Sequence, residues 1–252
     1  VSQPASVLVV AEAPADADEV QHLLDRLLNA RLENDLHEWA VEQIWSDGDP
    51  HGPTLDDLRS YVGVETGRTF LDTHQIGKLA MARGLRSHGH LDGLKPPLEY
   101  HQARKAVLLA KHVNARAVIY LRDTDGESQR QLGWKAAAEE HRRGFVALVG
   151  GFPHEAIEAW RIALHQPKTP AENDALKACR SQLGFDPIKA PEDLSHKLPP
   201  HPRSAKKVAE ELDAHNNLKT APLSNLRSRG AATGLPAFVA ELDALVNALL
   251  QP

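Results

Sequence analysis

Ala117-Val-Ile-Tyr-Leu-Arg-Asp-Thr-Asp-Gly126 is the stretch whose reading decides the fold. A short, partly β-branched apolar run ends at Arg122, and Asp123, Asp125 and Gly126 come directly after it. That pattern predicts a buried strand closed by a turn. It places two carboxylates at the strand's C-terminal end, the edge at which open parallel sheets bind ligands. Two carboxylates there are hard oxygen donors for Mg²⁺. The same residues also suit a plain acidic turn, so the metal reading needs carboxylates from other parts of the chain.

Those carboxylates are present. Ser6 to Ala11 is a second apolar run, and it ends in Glu12. Pro14 and Asp16 then open a helical pattern carrying Val20, Leu23, Leu24, Leu27 and Leu28 on one side. Phe145 to Val149 predicts a third strand, closed by Gly150 and Gly151. A helix from His154 to about Leu164 comes next, with Glu155 and Glu158 on one face and Ile157 and Trp160 turned inward. Helices over Leu98–Val113 and Glu127–Arg143 flank the Ala117 strand. The alternation predicts an α/β, Rossmann-like, mainly parallel sheet between helices.

The remaining segments are less regular. Val41 to Trp45 reads as a short strand and Ser46 to Pro53 as loop. Residues 54–116 read as a mostly helical insertion, with Thr54 capping a helix to Val62 and another helix over Asp72–Arg83. The α/β domain therefore spans residues 1–166. From residue 167 prolines cluster, and helices at Pro170–Leu183, Ala205–Asn216 and the amphipathic Leu235–Leu250 predict a helical C-terminal appendage.

Composition narrows the class. No apolar run approaches a membrane span, and the first residues lack the pattern of a signal peptide. One cysteine, Cys179, excludes an internal disulfide framework and fits a cytoplasmic protein. Net charge is −5, which does not by itself favour nucleic acid. Positive charge gathers late, however, in Lys197, Arg203, Lys206, Lys207, Lys219, Arg227 and Arg229. Arg203, Lys206, Lys207, Arg227 and Arg229 are the candidate nucleic-acid contacts, although such a run also serves as a solvated face.

Glu12-x-x-x-Asp16, the Leu121-Arg-Asp-Thr-Asp-Gly126 turn and Glu158-Ala-Trp160 together resemble the Toprim fold. The likeness is to the overcoming-lysogenization-defect nuclease branch and to compact Toprim-like proteins of bacterial anti-phage defence. It covers Val7–Val10 and Ala117–Leu164. Ala13 departs from it, because glycine usually comes after the glutamate. The resemblance implies a metal-dependent endonuclease acting on DNA or RNA beside an ATPase partner. Self-association is left open. Phosphodiester hydrolysis needs charge neutralisation and an activated water, which two divalent ions supply. The implied catalytic residues are Glu12, Asp123, Asp125 and Glu158. Two Mg²⁺ or Mn²⁺ ions would be held by these with Asp16 and Glu155. Arg122, Lys135 and Arg161 are candidates for stabilising leaving charge. The plain alternatives are a solvated helix acid for Glu158 and a helix-dipole partner for Glu155.

Two other readings stand beside this one. The first is a non-catalytic member of the same fold, serving as a binding or sensor subunit of a defence complex. The second is a zinc hydrolase through His88, His90 and Asp92, whose spacing partly resembles the metallo-β-lactamase signature. Gly93 replaces that signature's next histidine. A phosphate-binding Walker loop and a Gly-x-Ser-x-Gly elbow are both missing from the sequence.

Overall fold

The computed structural model describes residues 5–43, 59–65, 67–86, 95–195 and 198–250, with side chains of the first segment described to residue 33. Among these residues, five parallel strands form one sheet: β1 (Ala5–Ala11), β2 (Arg59–Tyr61), β3 (Phe70–Asp72), β4 (Ala117–Leu121) and β5 (Ala147–Gly151). β1 and β4 are neighbours, and β5 lies outside β4. β2 and β3 lie end to end along the other side of β1. The expected α/β class and parallel sheet are present.

Strand alternation divides the core. Val7, Val9, Ala11, Ala117, Ile119 and Leu121 face one layer, while Leu8, Val10, Val118 and Tyr120 face the other. Because both faces are covered, β1 and β4 read as continuous apolar runs. The first layer holds α1 (Pro14–Gln43) and α10 (Leu235–Leu250). The second holds α2 (Ile76–Ala82), α3 (Tyr100–His112) and α4 (Gln129–His141).

Several expectations change. Residues 41–43 continue α1 instead of forming a strand, since nothing from Leu32 to Gln43 is a glycine or proline that would stop a helix. Residues 59–61 are β2, not the end of a helix begun at Thr54, and residues 54–58 lie outside the described chain. Asp72 closes β3, and its side chain accepts from the His74 N–H at 2.7 Å, capping a 3-10 turn before α2. The 54–116 insertion therefore supplies a sheet edge as well as helices. Gly150 and Gly151 lie inside β5, paired with Tyr120 and Leu121, and neither has room for a Cβ. One on Gly150 would stand 2.3 Å from Trp134 Nε1.

The C-terminal helices are present, but the last is not appended. Phe238, Leu242 and Leu245 of α10 share the core of β1 and α1. Phe238 stacks on Trp160 at 5.1 Å, and the Trp160 indole donates to Thr233 O. Trp160 lies on α5 (Ile157–Ala163). A separate small core joins α6 (Pro170–Leu183) to α7 (Ala205–Glu211), above Ala156 and Ile162. α6 starts at a capping box of Thr169 and Glu172 and ends at the left-handed Gly184. Two short helices, α8 (Asn217–Thr220) and α9 (Leu223–Ser228), lead to α10. The helix expected to run to Asn216 ends at Glu211, and residues 212–216 form turns with Asp213 left-handed at φ 50°.

Candidate functional site

The carboxylates meet where β1 and β4 end. The register pairs Val10 with Tyr120, which brings Glu12 level with Arg122 and leaves Asp123 one residue beyond. Alternation carried past the strand ends sends Glu12 and Arg122 toward the α2–α4 layer and Asp123 toward α1 and α5. Side-chain contacts obey that division.

On the first side, Arg122 forms an ion pair with Glu12 and hydrogen-bonds Thr73 Oγ1 at 3.3 Å. Its Nε lies 3.7 Å from Glu99, which accepts from the buried Tyr120 hydroxyl. On the second side, Arg161 gathers three acids. Its Nη2 is 3.1 Å from Asp16 and 3.0 Å from Glu19, and its Nη1 is 3.4 Å from Glu158. Between the two sides, Arg130 bonds Asp123 O and Asp125 Oδ2, both at 2.8 Å.

Asp123 is the exception. Its carboxylate accepts the Ile157 N–H at 3.0 Å, and no ion pair of Asp123 occurs among the described residues. Burial, then the charges of Glu12, Glu158 and Asp16, push its pKa from 3.8 to about 8, against the pull of the Ile157 N–H. Burial also raises Glu12 despite Arg122, and raises Asp16 and Glu19 despite Arg161. Burial alone would weaken the charge on Arg161, but Glu19, Glu158 and Asp16 outweigh it and hold the guanidinium protonated.

Two loops hold this arrangement. The Asp125 N–H donates to Glu155 O at 3.0 Å, the Glu155 N–H to Thr124 Oγ1 at 2.9 Å, and the Thr124 N–H to Pro153 O at 3.1 Å. Asp125 and Glu155 both take left-handed backbone, with φ of 48° and 61°. Non-glycine residues adopt that region at a cost, and such residues concentrate at functional sites.

Four of the expected acids, Glu12, Asp16, Asp123 and Glu158, therefore lie within electrostatic reach of one another. Asp125 is tied to Arg130, and its charge bears on Glu12. Glu155 is not on the helix face of Glu158. It precedes α5, 3.8 Å from His154 and over Gly126. The left-handed backbone of Glu155 and the extended Ala156 before the helix separate the two glutamates. Arg122 and Arg161 reach the acids, whereas Lys135 lines a cavity of about 430 Å³ beside β5 with Glu241.

Sequence alone does not single out Arg130, Glu19 or Glu99. A signal for Glu19 exists, because it lies one turn beyond Asp16 on the same helix face. Nothing local marks Arg130 or Glu99.

The donors are all hard oxygens, the kind that suits Mg²⁺ or Mn²⁺. Among the described residues no group of three or more His, Cys, Asp or Glu stands in metal-holding geometry. Two features nevertheless fit a cation. Asp123 has only a neutral partner for its charge, and Glu158 Oε2 is buried without a hydrogen-bond partner. Arg161 engages Asp16 and Glu158 and Arg122 engages Glu12, whereas Asp123 has no ion pair among the described residues.

Several of the described basic residues already have partners. Arg227 is bound by Asp243 through two 2.9 Å bonds, Lys207 lies 3.5 Å from Glu211, and Lys219 pairs with Asp18. Arg229 donates to His165 O at 3.4 Å. Arg203 lies 5.6 Å from the Phe185 ring. Lys206 is exposed, and its charge is felt by Asp16. Lys197 and the His88, His90, Asp92 set lie outside the described residues. No described helix is long and apolar enough to cross a membrane. No family model, curated protein or solved structure matches the chain.

Proposed function

We propose that this chain is a Toprim-like, Mg²⁺- or Mn²⁺-dependent nuclease, an effector of anti-phage defence working beside an ATPase partner. The observation that carries the reading is Asp123. It is a buried carboxylate at the end of β4, repelled by Glu12 at the end of β1 and ion-paired with no arginine among the described residues. Glu12 and Asp123 would hold a divalent ion, which when bound neutralises phosphate charge and supplies an activated water.

The chain's own residues do the rest. Arg130 fixes the 123–125 turn through Asp123 O and Asp125, and the Ile157 N–H orients the Asp123 carboxylate. Arg122 neutralises part of the charge on Glu12 and carries a buried Nε without a hydrogen-bond partner beside it. Lys206, exposed on the Asp16 side, would meet an incoming phosphate. Incubation of plasmid, single-stranded DNA and RNA with Mg²⁺ or Mn²⁺ tests the reading. Cleavage should vanish in Asp123→Ala and fall strongly in Asp125→Ala. Equal cleavage by wild type and Asp123→Ala sinks it.

A second reading rests on the arginines. Glu12, Asp16, Asp125 and Glu158 each pair with a guanidinium. Such a site can be a charge-balanced platform for nucleic acid or a partner protein without catalysis. Oligonucleotide binding that persists with no cation dependence and no cleavage favours it.

A further inference from the structure

Two ions are expected from the resemblance, with Asp16 and Glu158 holding the second. The Arg161 guanidinium already bridges those two acids. Its Nε and Nη2 reach Glu19 at 3.2 and 3.0 Å, Nη2 also reaches Asp16 at 3.1 Å, and Nη1 reaches Glu158 at 3.4 Å. We infer that Arg161 replaces the second cation, so that the site takes one divalent ion per chain, on the Glu12–Asp123 side, where the Arg122 side chain paired with Glu12 is 19% exposed against 9% for Arg161 and Asp123 has no ion pair among the described residues. The count of one rests on the proposed reading of Glu12 and Asp123 as cation ligands.

Burial keeps the guanidinium in place. Arg161, Glu158 and Glu19 are 8%, 9% and 6% exposed. Between the buried Trp160 and Ile162, and with its carbonyl accepting from Asn217 Nδ2 at 2.9 Å, Arg161 cannot swing to solvent without disturbing α5. Removing one partner of a buried charge cluster leaves the others uncompensated, so an ion competing for Asp16 would have to displace a group with nowhere to go. Guanidinium is always charged and its fork matches carboxylates, so it neutralises at every pH at which the protein folds.

One oxygen stays without a hydrogen bond, Glu158 Oε2. It lies among the acids whose charge reaches Asp123. Arg161 leaves that acceptor open to a hydrogen-bond donor such as a substrate hydroxyl. The chemical consequence is a one-ion site. The positive charge that would face a phosphate on the Asp16 side is directional and already hydrogen-bonded, and it offers no open coordination position.

Counting Mn²⁺ by calorimetry and electron paramagnetic resonance, without substrate, tests this. Wild type should bind one ion, Arg161→Lys one, and Arg161→Met two, because methionine uncovers Asp16, Glu19 and Glu158. If Arg161→Met is poorly folded alone, thermal unfolding supplies the second measurement. Mn²⁺ at about a hundred times its Kd should raise its Tm by roughly 5–10 °C more than it raises wild type. Two ions in wild type overturn the inference, as does Arg161→Met remaining at the wild-type count with no added stabilisation. Wild type binding none while Arg161→Met binds one overturns the Glu12–Asp123 reading and supports the role of Arg161.

Discussion

Asp123→Asn should stabilise the protein while disabling the site, and the gain should depend on pH. The side chain keeps its shape and its acceptor oxygen for the Ile157 N–H, and it loses the ability to ionise. In the folded chain Asp123 has a pKa of about 8, against 3.8 when unperturbed. A raised carboxyl pKa gives a stability contribution that is full below the unfolded value and lost as pH rises from about 4 to about 8. Over that window the folded chain keeps a proton that the unfolded chain has released. Each pH unit costs about 1.4 kcal/mol, so at pH 7 the wild type bears about 4 kcal/mol that the asparagine variant does not. At pH 4 the difference falls to about 0.5 kcal/mol. For a chain of this size 4 kcal/mol corresponds to roughly 8–16 °C in Tm, and that is the upper figure. Calorimetry of both proteins at pH 4, 5.5, 7 and 8, with and without Mg²⁺, is the assay. The variant should gain progressively over wild type as pH rises, and Mg²⁺ should raise the Tm of wild type only. A variant less stable than wild type at pH 7, or a gain equal at pH 5.5 and 8, refutes the reasoning.

Gly150→Ala should lose about 2–3 kcal/mol in chemical denaturation, because its Cβ would meet Trp134 Nε1 at 2.3 Å inside β5. Fluorescence anisotropy with a labelled oligonucleotide should separate the basic residues. Lys206→Ala should weaken binding several-fold and lessen its salt dependence, whereas Arg227→Ala, already neutralised by Asp243, should leave both unchanged. Arg130→Ala should release the 123–125 turn, seen as faster amide exchange at Asp125. It should also lower Mn²⁺ affinity by about tenfold, because the residue that orients the ligand-bearing turn is gone.

The sequence determined the parallel core of this protein. β4 is apolar at every position and β1 at every position but Ser6, because both faces are covered, and that pattern depends on no distant residue. It also determined that acids close strands β1 and β4, since a strand's end is marked by its own neighbours. The end of β5 is less legible. The Gly150–Gly151 pair looks like a turn until Trp134 is seen to fill the space a side chain would need. Short β2 and β3 cannot be read from sequence because three residues carry too little period, and only the open edge of β1 makes them strands. α10 looks like an appendage because its apolar stripe is visible locally while the face it covers is not. The site divides in the same way. Four acids could be named from strand ends and the helices that follow them, but which cation answers each charge depends on where β4, α4 and α5 bring Arg122, Arg130 and Arg161 through space. Ion pairing acts through distance and burial, not sequence separation. For that reason only the tertiary structure decides that Arg161 takes Asp16 and Glu158, and that Asp123 is left without a counterion among the described residues.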